Sequence, residues 1–168
     1  MTSDVIIRPA ERRDLPTLGA LGAALVRAHH AFDEHRFMAP PGDVESGYAW
    51  FLGTQLGEPD TVVLVAARGD AVVGYVYAGI EGESWKELRG PAGFIHDVVV
   101  AVDERGRGVA TRLLEAAAAW LEAHGAPRLM LWTAEKNAAA RGLFRRLGFR
   151  ETMLEMTRER GDRAKSSS

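Results

Sequence analysis

Polar and apolar positions alternate along this chain with two different periods, and the places where the period changes mark out its elements. Val5 to Arg8 is a short run of β type closed by Pro9. Leu15, Leu18, Leu21, Leu25 and Val26 then recur at helical spacing, predicting a helix that reaches about His30, with Asp14 placed to cap it and Pro16 tolerated in its first turn. The polar stretch Ala31 to Pro41 is a loop, and Asp43 opens a second helix running through Leu56. Thr61 to Ala67 and Ala71 to Ile80 read as strands joined by a hairpin turn at Arg68-Gly69-Asp70. After a long connection, Glu81 to Gly93, the run Phe94 to Val102 predicts a further strand, and Val98, Val99 and Val100 suit one buried on both faces. From Val109 the helical period returns: Val109, Leu113, Ala117 and Leu121 share one face of a helix that ends near His124-Gly125. Leu129 to Thr133 reads as a strand, Ala138 to Leu147 as a helix stopped by Gly148, and Phe149 to Thr157 as a last strand. Residues 1–157 are expected to form one domain of mixed α/β order, with 158–168 as a polar, disordered tail.

The valine strand gives way to its helix through a charged, glycine-rich turn, Asp103-Glu104-Arg105-Gly106-Arg107-Gly108. Strand, glycine turn and helix together leave unpaired backbone N–H groups at a helix N-terminus, where the positive end of the macrodipole also lies. Glycine lets a ligand come close to the main chain, and two arginines add charge. The arrangement predicts a site for phosphate or pyrophosphate. No Lys-Ser or Lys-Thr follows the glycines, which argues against a P-loop, and the spacing is not that of a dinucleotide-binding turn; a phosphate loop for another nucleotide is the competing reading.

In these details the stretch resembles the acyl-coenzyme A loop of the GNAT acetyltransferase superfamily. The family signature Arg/Gln-x-x-Gly-x-Gly/Ala stands here as Arg105-Gly106-Arg107-Gly108-Val109-Ala110. A second segment, from Asn137 to Phe149, is similar to the family's N-x-x-A-x-x-hydrophobic-Tyr/Phe-x-x-x-G-F. The resemblance implies a mixed, mostly antiparallel central sheet flanked by helices over Val5 to Thr157. It implies an N-acetyltransferase that uses acetyl-coenzyme A as co-substrate and passes the acetyl group directly to a primary amine. It further implies cofactor contacts from the main chain of Val98, Val99 and Val100, from Arg105, Gly106, Arg107, Gly108, Val109, Ala110 and Thr111, and from Asn137 and Phe144. Asn137 suits an N-cap equally well, and Phe144 the core. Where many members carry a tyrosine to protonate the departing thiolate, this chain has Phe144. An ordinary thiol pKa of about 8.5 keeps thiolate a tolerable leaving group, and a catalytically silent coenzyme A-binding module is the alternative reading.

Transfer to an amine needs a base and a place for the ammonium. His96 and Asp97 interrupt an apolar strand, where unpartnered polar groups cost free energy, and they are the catalytic candidates. His96 suits a general base acting through water and Asp97 an acceptor for the ammonium; a structural hydrogen bond would explain the pair equally well. Strand alternation predicts that at most one of the two faces the acceptor. Glu34 and His35, and Trp85 in its acidic connection, are candidate acceptor contacts, whereas Tyr48, Tyr75 and Tyr77 are read as packing residues. The histidines near residue 30 have no helix-borne ligand spacing, so no metal is expected.

Composition closes off other classes. A net charge of −2 over 168 residues argues against a general nucleic-acid binder. The absence of cysteine removes disulfides, thiolate metal sites and a cysteine acyl-enzyme. No apolar run suits a signal peptide or a membrane span, so the expectation is a cytoplasmic protein without a membrane partner. The expected partners are acetyl-coenzyme A and an amine, with a homodimer left open by the last sheet edge.

Overall fold

The computed structural model describes residues 4–162. Five strands form one sheet in chain order: β1 (Ile6–Pro9), β2 (Thr61–Arg68), β3 (Ala71–Glu81), β4 (Ala92–Val100) and β5 (Leu129–Leu131). The first four pair antiparallel and β5 joins β4 in parallel, giving the mixed, mostly antiparallel sheet expected. Helices α1 (Leu15–Phe32) and α2 (Val44–Gln55) cover one face; α3 (Val109–Ala123) and α4 (Ala138–Arg146) lie on the other.

The two faces follow from strand alternation. Val63, Val65, Tyr75, Tyr77 and Val99 point toward Leu18 of α1 and Leu52 of α2. Leu64, Ala66, Val76, Ala78, Ile95 and Val100 point toward the α3 stripe, where Val109, Leu113, Ala117 and Leu121 are all buried as their spacing predicts. Helices α1 and α2 approach closely because glycines face the crossing. A Cβ on Gly19 would lie 2.4 Å from the Glu45 carbonyl oxygen, and one on Gly22 would lie 2.1 Å from the Tyr48 ring.

Asp14 does stand at the N-cap of α1, but its carboxylate caps nothing there. It is buried and takes two hydrogen bonds from Arg8, at 2.8 and 2.9 Å, with a third from the Glu11 N–H at 2.8 Å. This joins the end of β1 to the start of α1. The Arg8 hydrogen bonds hold the Asp14 carboxyl below its ordinary value of 3.8. Asp14→Ala leaves Arg8 without its partner and is expected to cost about 2–3 kcal/mol, or roughly 5–10 °C in thermal midpoint. Because the folded pKa is depressed, the difference between wild type and variant is complete above pH 3.8 and closes as the pH falls through the folded value. Thermal melts at pH 7 and below pH 3.8 check both statements.

The C-terminal strand expected over Phe149 to Thr157 is not formed. Phe149 packs on Phe144, but Arg150 to Asp162 are all exposed and no strand is found among them. Extended sequences become strands only when a neighbouring backbone pairs with them, and β5 offers only three residues. The segment is tethered by charge instead: Glu151 binds Arg141 and Arg145, and Glu155 binds Arg36. Of the expected tail, residues 163–168 lie outside the described residues.

Candidate active site

The site is built where β4 parts from β5. Their pairing runs only from Gly93 opposite Leu129 to Ile95 opposite Leu131, so among the described residues no strand lies beside the outer edge of β4 from His96 onward. On its inner edge β4 continues along β3 as far as Val100 opposite Gly74. Ala101 donates to the Val73 carbonyl at 2.9 Å. In an antiparallel ladder this turns the main chain of Val99 toward β3 and those of Val98 and Val100 toward the open edge. The Val100 carbonyl there accepts from Arg105 Nε at 3.2 Å, which braces the turn that follows.

That turn is the one for which the sequence predicts a phosphate site. Gly106 and Gly108 hold φ of +73° and +77°, and a Cβ added to either would meet nothing within 4 Å. Gly108 is the N-cap of α3 and has no side chain with which to cap it. None of the backbone N–H groups from Gly106 to Thr111 donates to a protein acceptor among the described residues. Six adjacent free donors at a helix N-terminus suit a pyrophosphate, and the residues present therefore fit coenzyme A. Arg107 lies 3.6 Å from Glu104, which also binds Arg68 at 2.9 Å.

Between β4 and β5 opens a cleft of about 270 Å³. Ile95, Val98, Leu131, Asn137 and Phe144 line its deeper part. Asn137 caps α4, accepting from the Ala140 N–H at 3.2 Å, and reaches the cleft as well. Phe144 is buried against the α3 core and also borders the cleft.

His96 and Asp97 both face the α1/α2 side, contrary to simple alternation. Tyr77 is opposite Asp97 while Ala78 is opposite Ile95, so His96 has no partner on β3 and is the extra residue of a β-bulge. The bulge resets the alternation and brings two consecutive polar side chains to one face. His96 stacks between Tyr77 and Phe94, with ring centroids 4.8 and 5.0 Å away. Glu81 Oε1 lies 3.3 Å from its Nε2, favouring the tautomer that carries the proton there and leaves Nδ1 basic. Burial outweighs the attraction of Glu81 and Asp97 and lowers the His96 pKa below 6.5, so the imidazole is mostly neutral at pH 7.

Asp97 Oδ2 accepts from Tyr48 of α2 at 2.5 Å and from Tyr75 of β3 at 3.1 Å. Oδ1 takes no hydrogen bond among the described residues, and Asp97 lines the cleft. Burial raises the Asp97 pKa above 3.8, and the two tyrosine hydroxyls partly oppose the shift. Burial and the Asp97 charge push both phenols above their ordinary value, so they remain donors. Tyr48, Tyr75 and Tyr77 are therefore more than packing residues. The first two hold the carboxylate; the third stacks on His96 and donates to Gln55 at 3.0 Å.

Other cleft residues carry no sequence signal of their own. His29 of α1 donates from Nδ1 to the Leu25 carbonyl at 2.9 Å and lines the mouth with Phe37 and Met38. Trp132, just beyond β5, closes the opposite side. Glu34 and His35 do not reach this cleft: their side chains are 73% and 72% exposed on a separate charged surface with Lys136. Trp85 is 84% exposed in the β3–β4 connection and lines neither place. Among the described residues no group of three or more potential ligands could hold a metal ion, and no helix is long and apolar enough to cross a membrane.

Residues 24–149 match the acetyltransferase (GNAT) family, and the chain belongs to it. It is 32% identical over 110 residues to an L-methionine sulfoximine/L-methionine sulfone acetyltransferase of Pseudomonas aeruginosa, a match covering 65% of this chain and 61% of that relative. The chain thus spans less than two thirds of that relative's length. Among solved structures it resembles an aminoglycoside 6′-N-acetyltransferase from Acinetobacter haemolyticus, with a TM-score of 0.70, 22% identity, and coverage of 94% of this chain and 99% of that one. It also resembles the aminoglycoside N-acetyltransferase AAC(6′)-Iy in complex with coenzyme A, with a TM-score of 0.72, 19% identity, and coverage of 96% and 98%. At these identities the structural likeness is one of fold.

Proposed function

We propose that this protein is an N-acetyltransferase that moves the acetyl group of acetyl-coenzyme A to a primary amine bound at Asp97. One observation carries the reading. The open edge of β4 links a nest of free amides, Gly106 to Thr111, to a cleft holding a basic imidazole and a carboxylate. The acceptors named for the relatives, methionine sulfoximine or sulfone and aminoglycosides, share an amine, and only that group is carried over to this chain.

Acetyl-coenzyme A supplies an acyl group already activated as a thioester. The amides of Gly106 to Thr111 bind its pyrophosphate, with Arg105 and Arg107 adding charge. The outward N–H of Val98 is available to a carbonyl oxygen at the open edge, where it would stabilise developing negative charge. Asp97 Oδ1 accepts from the substrate ammonium and fixes its position. An alkylammonium has a pKa of about 10.4 and must lose a proton before it attacks. His96 Nδ1 takes that proton, directly or through water, because the imidazole is neutral at pH 7. Phe144 supplies no proton to the leaving thiolate, so solvent does.

Calorimetric titration with acetyl-coenzyme A, run beside a thiol-release assay on an amine panel, tests the proposal. Micromolar binding with amine-dependent thiol release is expected. Binding without release from any amine would favour a silent coenzyme A-binding module. Failure to bind would remove the assignment of the loop.

A further inference from the structure

The acceptor side of the cleft is bordered by Leu25, Val26, His29, Phe37, Met38 and Trp132. Asp97 is the one carboxylate in the lining, which contains no lysine or arginine. Nearby guanidinium groups are already engaged by acids. Arg36 lies over the Phe37 ring and is held at two nitrogens by Glu155. Arg89, 5.8 Å from the centre of Phe94, is held by Glu81 and Glu87. Among the described residues the cleft therefore offers one anionic acceptor for an ammonium, a largely apolar wall for the rest of the molecule, and no lysine or arginine in its lining for a carboxylate.

We infer that the preferred acceptor is a small alkyl- or arylalkylamine, whose nitrogen-bearing carbon carries no carboxylate, rather than an α-amino acid or an aminosugar. This rests on the N-acetyltransferase reading above and narrows it. An α-carboxylate is fixed within two bonds of the nitrogen, so an ammonium seated on Asp97 brings its own carboxylate beside the Asp97 charge. Without a countercharge that approach is repulsive, and the burial that raises the Asp97 pKa also limits how far water screens it. An aminosugar carries several hydroxyl and ammonium groups that lose water on entry, and Leu25, Val26, Phe37 and Met38 offer them no side-chain hydrogen bond, which leaves few partners beyond the Trp132 N–H and the Thr133 hydroxyl. Volume points the same way: about 270 Å³ lies below the roughly 300–1,000 Å³ typical of sites for drug-sized ligands. Aromatic bodies suit the cleft further, because Phe37, His29 and Trp132 supply ring faces and edges.

Matched pairs give the test: 2-phenylethylamine against L-phenylalanine, and 3-(methylthio)propylamine against L-methionine, with kanamycin as the aminosugar, all at pH 8 with saturating acetyl-coenzyme A. The α-carboxylate makes an amino acid's ammonium the more acidic, so a larger share of it is free amine at pH 8, and a hundredfold preference for the amines cannot come from protonation. The kcat/KM of each amine is expected to exceed that of its carboxylated partner and of kanamycin by at least a hundredfold. In the Met38→Arg variant, a cation placed at an exposed position of the mouth should raise the ratio of kcat/KM for L-phenylalanine to that for 2-phenylethylamine at least tenfold. Turnover of amino acids or kanamycin equal to that of the amines would overturn the inference. So would an enzyme that binds acetyl-coenzyme A by calorimetry but acetylates none of the amines, because the coenzyme A loop would then stand while the acceptor class fell. Loss of acetyl-coenzyme A binding itself would instead overturn the parent reading.

Discussion

Placing an aspartate at Gly108 is expected to abolish acetyl-coenzyme A binding while leaving the protein folded. Gly108 holds φ of +77° at the N-cap of α3, and its missing Cβ faces open space. A side chain there would project into the nest of free amides, and its carboxylate would take the donors meant for a pyrophosphate. Two like charges about 5 Å apart at an effective dielectric constant near 20 repel by about 3 kcal/mol, more than a hundredfold in Kd. The cost to folding is smaller. A non-glycine residue in the left-handed region costs about 1–2 kcal/mol, and aspartate is among the residues that tolerate it best. Calorimetric titration of the variant should give no measurable heat with acetyl-coenzyme A. Its circular dichroism should match wild type, and its melting midpoint should fall by only a few degrees. Unchanged affinity would remove Gly106 to Thr111 as the cofactor's anchor.

The loop was legible in the sequence because every feature it needs is local. Glycines at positive φ, a strand before and a helix after, and the helix dipole all follow from a dozen consecutive residues. The acceptor side was only half legible. His96 and Asp97 stand out because polar residues interrupt an apolar strand. Their shared orientation was hidden, since it depends on a bulge set by the pairing of β4 with β3, and register is a property of two strands. Tyr48 and Tyr75 were missed for a related reason. They lie 49 and 22 residues from Asp97, and meet it only through the crossing of α2 over the sheet for Tyr48 and the pairing of β3 with β4 for Tyr75. Glu34, His35 and Trp85 mislead in the opposite direction: polar or aromatic residues in a loop carry a chemical signal wherever the loop points. The absent last strand is also an effect of partners, because the alternation from Phe149 onward finds no backbone to pair with.

The second large effect is expected at Asp97. Asp97→Asn keeps a carbonyl oxygen for the Tyr48 and Tyr75 hydroxyls, so packing should survive. Removing a buried charge should not lower the melting midpoint. What is lost is the anionic acceptor for the ammonium. The expected fall in kcat/KM is about 10²–10⁴, with acetyl-coenzyme A affinity unchanged. The pH dependence then separates the roles of the two polar residues. If His96 is the base, kcat/KM falls below an acidic limb set by an imidazole whose pKa burial has lowered from 6.5. If Asp97 is the base, the limb belongs to a carboxylate whose pKa burial has raised from 3.8. Tyr48→Phe distinguishes them. It deletes a hydrogen bond that lowers the Asp97 pKa, so a limb governed by Asp97 must move to higher pH, whereas one governed by His96 stays where it is. The expected result is a limb that stays in place in Tyr48→Phe and is lost in His96→Ala, with Asp97→Asn reducing the rate at every pH. A limb that follows Tyr48→Phe upward would transfer the base to Asp97 and leave His96 to shape the wall of the cleft.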